Sequence, residues 1–172
     1  MQQLRDRVLD ALVVDLRRVV PAADLRIEGV TDAPAGLVCR RGHPLLAGAS
    51  NGVSLEALLA YPVASTPLSA EVARILVTRY GPRADPEALT TLQCEEIASL
   101  IDTVRQTDAV YLGILGAVHE LLDSGELVQL PMQRPLESGA RFALITLVGR
   151  SELPVMAEFR RFVAERFAQL QP

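Results

Sequence analysis

The 172-residue chain has no lysine and no tryptophan, four phenylalanines and three tyrosines, two cysteines and two histidines. Each shortage excludes something. Without lysine there is no phosphate-gripping P-loop lysine, no Schiff-base nucleophile and no lysine general base. All 17 basic residues are arginine, a usage that fits a GC-rich genome rather than a need for bidentate binding. Cys39 and Cys94 lie far apart and match neither a metal-ligand spacing nor a redox motif, and two cysteines are too few for a disulfide framework. Both sit among apolar residues, where a free cysteine is commonly a small buried hydrophobe, and a reducing cytoplasm suits them. His43 precedes Pro44 in a turn and His119 lies on a short helical stretch; both read as surface histidines. No apolar run reaches the ~18 residues of a membrane span. Residues 1–10 are charged and amphipathic, unlike a signal peptide.

A surplus of positive charge is also missing. Net charge is −4 and the pI about 5.2, whereas DNA-binding modules draw much of their affinity from phosphate contacts. This chain is a poor candidate to grip DNA itself. No Gly-x-Ser-x-Gly elbow and no His-Glu-x-x-His motif occurs. Gly113 and Gly116 flank a strand around Tyr111, but with the wrong spacing for a dinucleotide fingerprint. Glu95 and Glu96 are adjacent, and adjacent helical residues do not face one another; their simpler role is at a helix start, where the dipole favours acidic groups. The expectation is no enzyme, no metal and no cofactor.

What is present is the balance of a globular domain: 49% apolar and 22% charged residues. The length allows one ordinary domain or two small lobes. Leu4, Val8 and Leu9 recur at helical spacing, and residues 11–14 form a short apolar run suited to a strand. Residues 24–31 alternate, residues 35–39 are apolar, and Arg40-Arg41-Gly42-His43-Pro44 ends that run. A helix capped by Ser54 is expected at 54–59, a strand at 62–65, and a helix at 69–80 stopped by Gly81-Pro82. Residues 88–92 look strand-like. The stripe Cys94, Ile97, Ala98, Ile101, Val104 predicts an amphipathic helix. Strands follow at 109–115, 127–130 and 142–148, with a helix at 117–122 and a loop at 134–140. The final helix carries Val155, Met156, Phe159, Phe162, Val163, Phe167 and Leu170, with Pro154 in its first turn. Strands alternating with helices, several apolar throughout, predict an α/β fold with a parallel or mixed sheet covered on both faces.

The segment Gly36-Leu37-Val38-Cys39-Arg40-Arg41-Gly42-His43-Pro44-Leu45-Leu46-Ala47-Gly48, followed by Val53-Ser54-Leu55-Glu56-Ala57-Leu58 and Tyr61-Pro62-Val63, resembles the sensing domain of LysR-type transcription regulators. Thr107-Asp108-Ala109-Val110-Tyr111-Leu112-Gly113 and Ser124-Gly125-Glu126-Leu127-Val128-Gln129-Leu130-Pro131 resemble later segments of that domain, as do residues 142–148 with Pro154, Phe159 and Phe162. The resemblance spans nearly the whole chain. It implies a two-lobed, periplasmic-binding-protein-like (type 2) fold with mixed sheets flanked by helices. Residues 1–42 would form part of the first lobe, 43–135 the second, and 136–172 the return strand and closing helix of the first. The crossings would lie near residues 38–43 and 134–142. Residues 4–14 resemble a helix and strand part-way into the first lobe. The resemblance therefore also implies an N-terminally truncated domain whose first lobe is incomplete.

By the same resemblance, the chain would sense a small effector held between its lobes and pair as a homodimer in the cytoplasm. DNA would be contacted only through a helix-turn-helix domain absent from this chain. Ser65-Thr66 and Gln93 lie at strand ends before helices, where open N–H groups and hydroxyls suit a carboxylate or phosphate. Ser65, Thr66 and Gln93 are thus expected to line the effector site, with Thr107 nearby; the plainer role is helix capping by Ser69 and Thr91 and a turn at Ser65-Thr66. Arg17, at a strand end of the first lobe, either pairs with an anionic effector or is solvated. Two other readings stay open: a degenerate dimerisation module without ligand, and a solute-binding protein of similar fold.

Overall fold

The apolar runs and turn residues fold, in the computed structural model describing residues 1–149 and 153–170, into fifteen helices and strands. In chain order these are α1 (Gln2–Arg5), β1 (Leu12–Asp15), β2 (Leu25–Arg40), α2 (Pro44–Ala47), α3 (Leu55–Leu58), β3 (Val63–Ser65), α4 (Ala70–Tyr80) and α5 (Pro86–Leu89). Then come β4 (Leu92–Gln93), α6 (Ile97–Gln106), β5 (Val110–Ile114), α7 (His119–Asp123), β6 (Leu127–Gln129), β7 (Gly139–Leu147) and α8 (Val155–Ala168). They form two compact units: Met1–Pro34 with Gly139–Pro172, and Ala35–Ser138. The chain changes unit between Pro34 and Ala35, inside β2, rather than at the turn near residues 38–43, and again between Ser138 and Gly139. The strand continues through the change at Pro34, and only its pairing partner switches, from β7 to β5.

In the first unit β7 is central, antiparallel to β1 on one side and to the first part of β2 on the other. Alternation along β7 sends Ala143 and Ile145 to one face, against Leu4 and Val19, and Leu144 to the other, against Val163 and Phe167 of α8. Two expectations change here. The opening helix stops at Arg5, and the chain turns through Arg7, whose φ is 61°. Residues 24–31 and 35–39 are one strand, with a bulge between Glu28 and Thr31 where Gly29 sits at φ +52°. The stripe of α8 is also narrower than its sequence suggests. Met156, Val163 and Phe167 are buried, but Val155 and Phe162 are 62% and 51% exposed. A small sheet covers only part of a helix face, and the Phe162 ring instead lies under the Arg166 guanidinium, 5.2 Å away.

The described carboxylates held below their ordinary range all lie in this unit. The hydrogen bond from Arg160 holds Glu28 down against the opposing effect of burial, with help from the Thr146 hydroxyl. Hydrogen bonds from Arg5 and Arg141 do the same for Asp24 and Asp32. At Asp15 burial pushes upward, but the hydrogen bonds and charge of Arg17 outweigh it. A depressed folded-state value means that the stabilisation is fully present above the unfolded carboxylate range of about 4. It is lost as pH falls through the folded values. Glu28 ties β2 to α8 and β7 and is only 21% exposed at its side chain. Glu28→Gln is therefore expected to cost on the order of 1–2 kcal/mol at neutral pH and to flatten the loss of stability below pH ~4. Urea titrations of both proteins between pH 7 and 3 check this; parallel pH curves would refute it.

The second unit is a mixed sheet. β5, β3 and β4 are parallel, and the end of β2 runs antiparallel between β5 and β6. Alternate strand residues feed two cores. Cys39, Val63, Val110 and Leu112 pack with Leu58, Leu76 and Leu89 of α3, α4 and α5. Val38, Ala64 and Tyr111 pack with Leu100 and Val104 of α6. Burial pushes the Cys39 thiol up to about 11, leaving it an inert hydrophobe, whereas Cys94 is half-exposed. Ser54 and Ser69 cap their helices as expected, accepting from the Ala57 and Val72 amides. Residues 88–92 are not a strand: α5 takes 86–89, and only Leu92 and Gln93 pair. A 3-10 turn at Leu115–Val118 precedes α7, so that helix begins later than its apolar residues suggest.

His43 is not a surface residue but is 1% exposed. Its Nδ1 accepts from the Leu45 amide at 3.1 Å, which places the proton on Nε2, and Nε2 donates to the Asp108 carbonyl at 3.0 Å. Its ring meets Tyr61 edge-on. The Arg40 guanidinium grips the Asp108 carboxylate of the same residue at 2.6 Å. His119 is half-buried, with Nδ1 3.0 Å from the Gly116 carbonyl.

Candidate functional site

In an open α/β sheet, ligands seat at the carboxyl ends of the strands, where neighbouring strands send their connections to opposite faces. The second unit has one such place. β3 runs into α4 on the face of the first core, while its parallel neighbours β4 and β5 continue into elements packed on the other face. The crevice therefore opens at the end of β3, at Ser65 and Thr66.

The structure brings Ser65, Thr66 and Gln93 together there. Ser65 pairs with Gln93 across the β3–β4 ladder, and the Cys94 amide donates to the Ser65 carbonyl. Ser65 is fully buried, and its hydroxyl is spent on the Thr66 carbonyl at 2.8 Å, so it shapes the turn. The half-buried Thr66 hydroxyl and the exposed Gln93 carboxamide make no hydrogen bond among the described residues and remain open to a ligand. Thr91 is not a helix cap: its hydroxyl accepts from the Val63 amide at 2.9 Å and clips β4 to β3.

Thr107 is not brought to this place. It caps the C-terminus of α6, donating to the Thr103 carbonyl and accepting from the Ala109 amide. That position is at the start of β5, and β5 is parallel to β3, so Thr107 lies at the opposite end of the sheet. Sequence spacing places a residue before a strand but does not say which sheet edge that start occupies. At the carboxyl end of β5, the strand paired with β3, stand Ile114 and Leu115, which are apolar and gave no chemical signal. Arg17 lies in the first unit and is engaged with Asp15, its Nη2 2.7 Å from Oδ2 and its amide also bonded to that carboxylate. Its charge is thus largely compensated within its own turn.

Electrostatics at the crevice are mixed. The N-terminus of α4 offers partial positive charge, although Ser69 already satisfies the Val72 amide. Glu95 and Glu96 stand exposed before α6, with Glu96 accepting from Ser99. They oppose a second negative charge at this edge. Among the described residues no group of three or more His, Cys, Asp or Glu side chains is arranged to hold a metal ion, and no helix is long and apolar enough to cross a membrane.

Comparison with known proteins agrees with this architecture. The sequence model of the family described as the LysR substrate binding domain matches residues 1–168. The chain is 28% identical over 172 residues to an SDS degradation transcriptional activation protein of Pseudomonas sp. (strain ATCC 19151), covering 99% of this chain and 55% of the relative. It thus spans about half the length of that curated relative. Among solved structures, it is similar to a putative transcriptional regulator from Vibrio parahaemolyticus, with a TM-score of 0.69 and 18% identity over 98% of this chain and 75% of that one. The effector domain of the regulator AmpR of Pseudomonas aeruginosa gives a TM-score of 0.65 at 17% identity, covering 96% and 75%. The CrgA regulatory domain of Neisseria meningitidis gives 0.68 at 13% identity, covering 95% and 78%. At these identities the likeness establishes the fold, the periplasmic-binding-like arrangement of these regulatory domains.

Proposed function

The chain belongs to the LysR substrate-binding domain family, and from that premise we propose that it is the effector-sensing and pairing module of a transcription regulator, taking a small monocarboxylate at the ends of β3 and β4. The observation that carries the site is the pair of unspent groups, Thr66 and Gln93, at the place where the strand connections diverge. A hydroxyl, a carboxamide and a nearby helix start suit one carboxylate, and the acidic pair at Glu95 and Glu96 disfavours a dianion. Signalling proceeds by population shift: the effector favours one arrangement of the paired domains over another. DNA is contacted by a helix-turn-helix domain carried outside these 172 residues.

Pairing with a second copy rests on the family reading, and the exposed apolar side chains do not single out a surface for it. Of the large hydrophobic side chains exposed among the described residues, all but Leu92 and Ile97 lie in the first unit, including Val13, Ile27, Val155 and Phe162. They do not form one patch, because Val13 pairs with Leu144 on the α8 face of the sheet and Ile27 with Ile145 on the other; sedimentation at rising concentration reads the pairing directly.

Thermal unfolding of the chain against aromatic and aliphatic carboxylates tests the site. A ligand at 100 times its Kd adds roughly 2.7 kcal/mol, and Thr66→Val is expected to abolish most of that shift. A shift that Thr66→Val leaves intact moves the site elsewhere. A cooperative transition that no carboxylate moves favours a pairing module without ligand.

A further inference from the structure

A separate concavity lies wholly within the second unit, on the flank of α4. It encloses about 550 Å³ between the second half of that helix and the segment 133–137, a volume in the range of small-molecule sites. Its charged and polar walls are Arg74, Thr78 and Arg79 from α4, and Gln133, Arg134 and Glu137 from the facing segment. Three guanidinium groups meet one carboxylate, in a chain whose net charge is −4.

These groups divide into a frame and a set of open donors. Arg79 belongs to the frame: its Nε donates to the Pro135 carbonyl at 3.0 Å and its Nη2 to Glu137 at 3.1 Å. The Tyr80 hydroxyl donates to the Arg134 carbonyl at 2.6 Å, fixing the facing segment to the end of α4. The Glu137 charge is thereby used by Arg79, and the charges of Arg74 and Arg134 are left without an acidic partner in the cleft. Arg134 spends one N–H on the Arg79 carbonyl at 3.4 Å. Arg74, Thr78 and the Gln133 carboxamide make no hydrogen bond among the described residues. Arg74 and Thr78 are four residues apart on α4 and so share one face of the helix.

We propose that this cleft is an anion site for a compact dianion, a phosphate monoester. A phosphate group carries close to two negative charges at neutral pH and presents three acceptor oxygens. Two planar guanidinium forks, a hydroxyl and an amide supply matching donors, and Ile75 and Pro135 offer apolar wall for the organic part. The preference is the reverse of that at the end of β3, where Glu95 and Glu96 resist a second charge. The two sites therefore take different ligands, and this one stands whether or not the other binds a carboxylate.

The test is calorimetric titration of the 172-residue chain with inorganic phosphate and with phenyl phosphate, at ionic strength held constant with sodium chloride. Saturable one-to-one binding is expected. Arg74→Ala and Arg134→Ala each remove charge-assisted hydrogen bonds and should weaken it about tenfold or more. Arg83→Ala, which removes an exposed arginine outside the cleft, and Thr66→Val should leave it unchanged. All the arginines replaced are exposed, and circular dichroism verifies that each variant is folded. Absence of saturable binding overturns the proposal, as does binding that persists undiminished in the Arg74→Ala, Arg134→Ala double variant. Loss in Thr66→Val but not in Arg74→Ala also overturns it, by assigning phosphate to the sheet edge.

Discussion

His43→Ala is expected to lower the unfolding free energy of the second unit by roughly 3 kcal/mol. The ring is fully enclosed and holds two main-chain groups at once, the Leu45 amide at the start of α2 and the Asp108 carbonyl before β5. Removing it leaves a buried donor and a buried acceptor unpaired and a cavity beside Tyr61. Two further variants separate these contributions. Asparagine can place an oxygen near the Nδ1 position and keep the Leu45 bond, while glutamine can reach the Asp108 carbonyl and keep the other. Each is expected to recover part of the loss, and denaturant titration measures it. If all three variants were as stable as the parent, the clasp would contribute nothing to stability.

The second large effect is expected at Gly113. Tyr111 and Gly113 lie on the same face of β5, and a Cβ at Gly113 would fall on the Tyr111 phenol, with Cε1 only 2.9 Å away. The backbone there has no left-handed φ; the requirement is room. Tyr111 is 2% exposed, so its ring cannot swing into solvent without emptying part of the core, and burial pushes its phenol upward. Gly113→Ala should cost about 2–3 kcal/mol by overpacking. In a Tyr111→Leu background the same change should cost little, and the double-mutant cycle then gives a coupling of similar size. Equal cost in both backgrounds would mean that the phenol is not what excludes a side chain at 113.

The motifs that carry the family resemblance take on a physical meaning in the fold. Arg40 and His43 lie at the end of β2 and in the turn after it, Asp108 before β5, and they come together as a clasp. Arg40 holds the Asp108 carboxylate and His43 its carbonyl. Arg41 extends the clasp by donating its amide to the Glu126 carbonyl. These residues stabilise the sheet and do not line the crevice. The tight turn residues were conspicuous in sequence because a buried turn tolerates few side chains, whereas the crevice is lined by ordinary residues such as Thr66 and Gln93. The arginine cleft was illegible for a related reason: in a chain with 17 arginines, Arg74 and Arg134 stand out only once α4 and the segment 133–137 face each other.

The chain by itself determined what depends on neighbouring residues. Period-2 and helical patterns located most of the strands and the long helices α4, α6 and α8. Ser54 and Ser69 marked helix starts, and Gly81, at φ +93°, marked a stop. Alternation of strands and helices set the α/β class. These follow from backbone hydrogen bonding and from the side-chain period of each element, which are properties of short segments. Tertiary structure alone decided the rest. Strand direction put Thr107 at the far end of the sheet from Ser65, pairing made one strand of an alternating segment and an apolar run, and packing buried His43 and left Phe162 exposed. Those outcomes depend on which strand lies beside which and on how much sheet there is to cover a helix. No local pattern encodes that, because the partners are distant in sequence and meet only when the sheet is assembled.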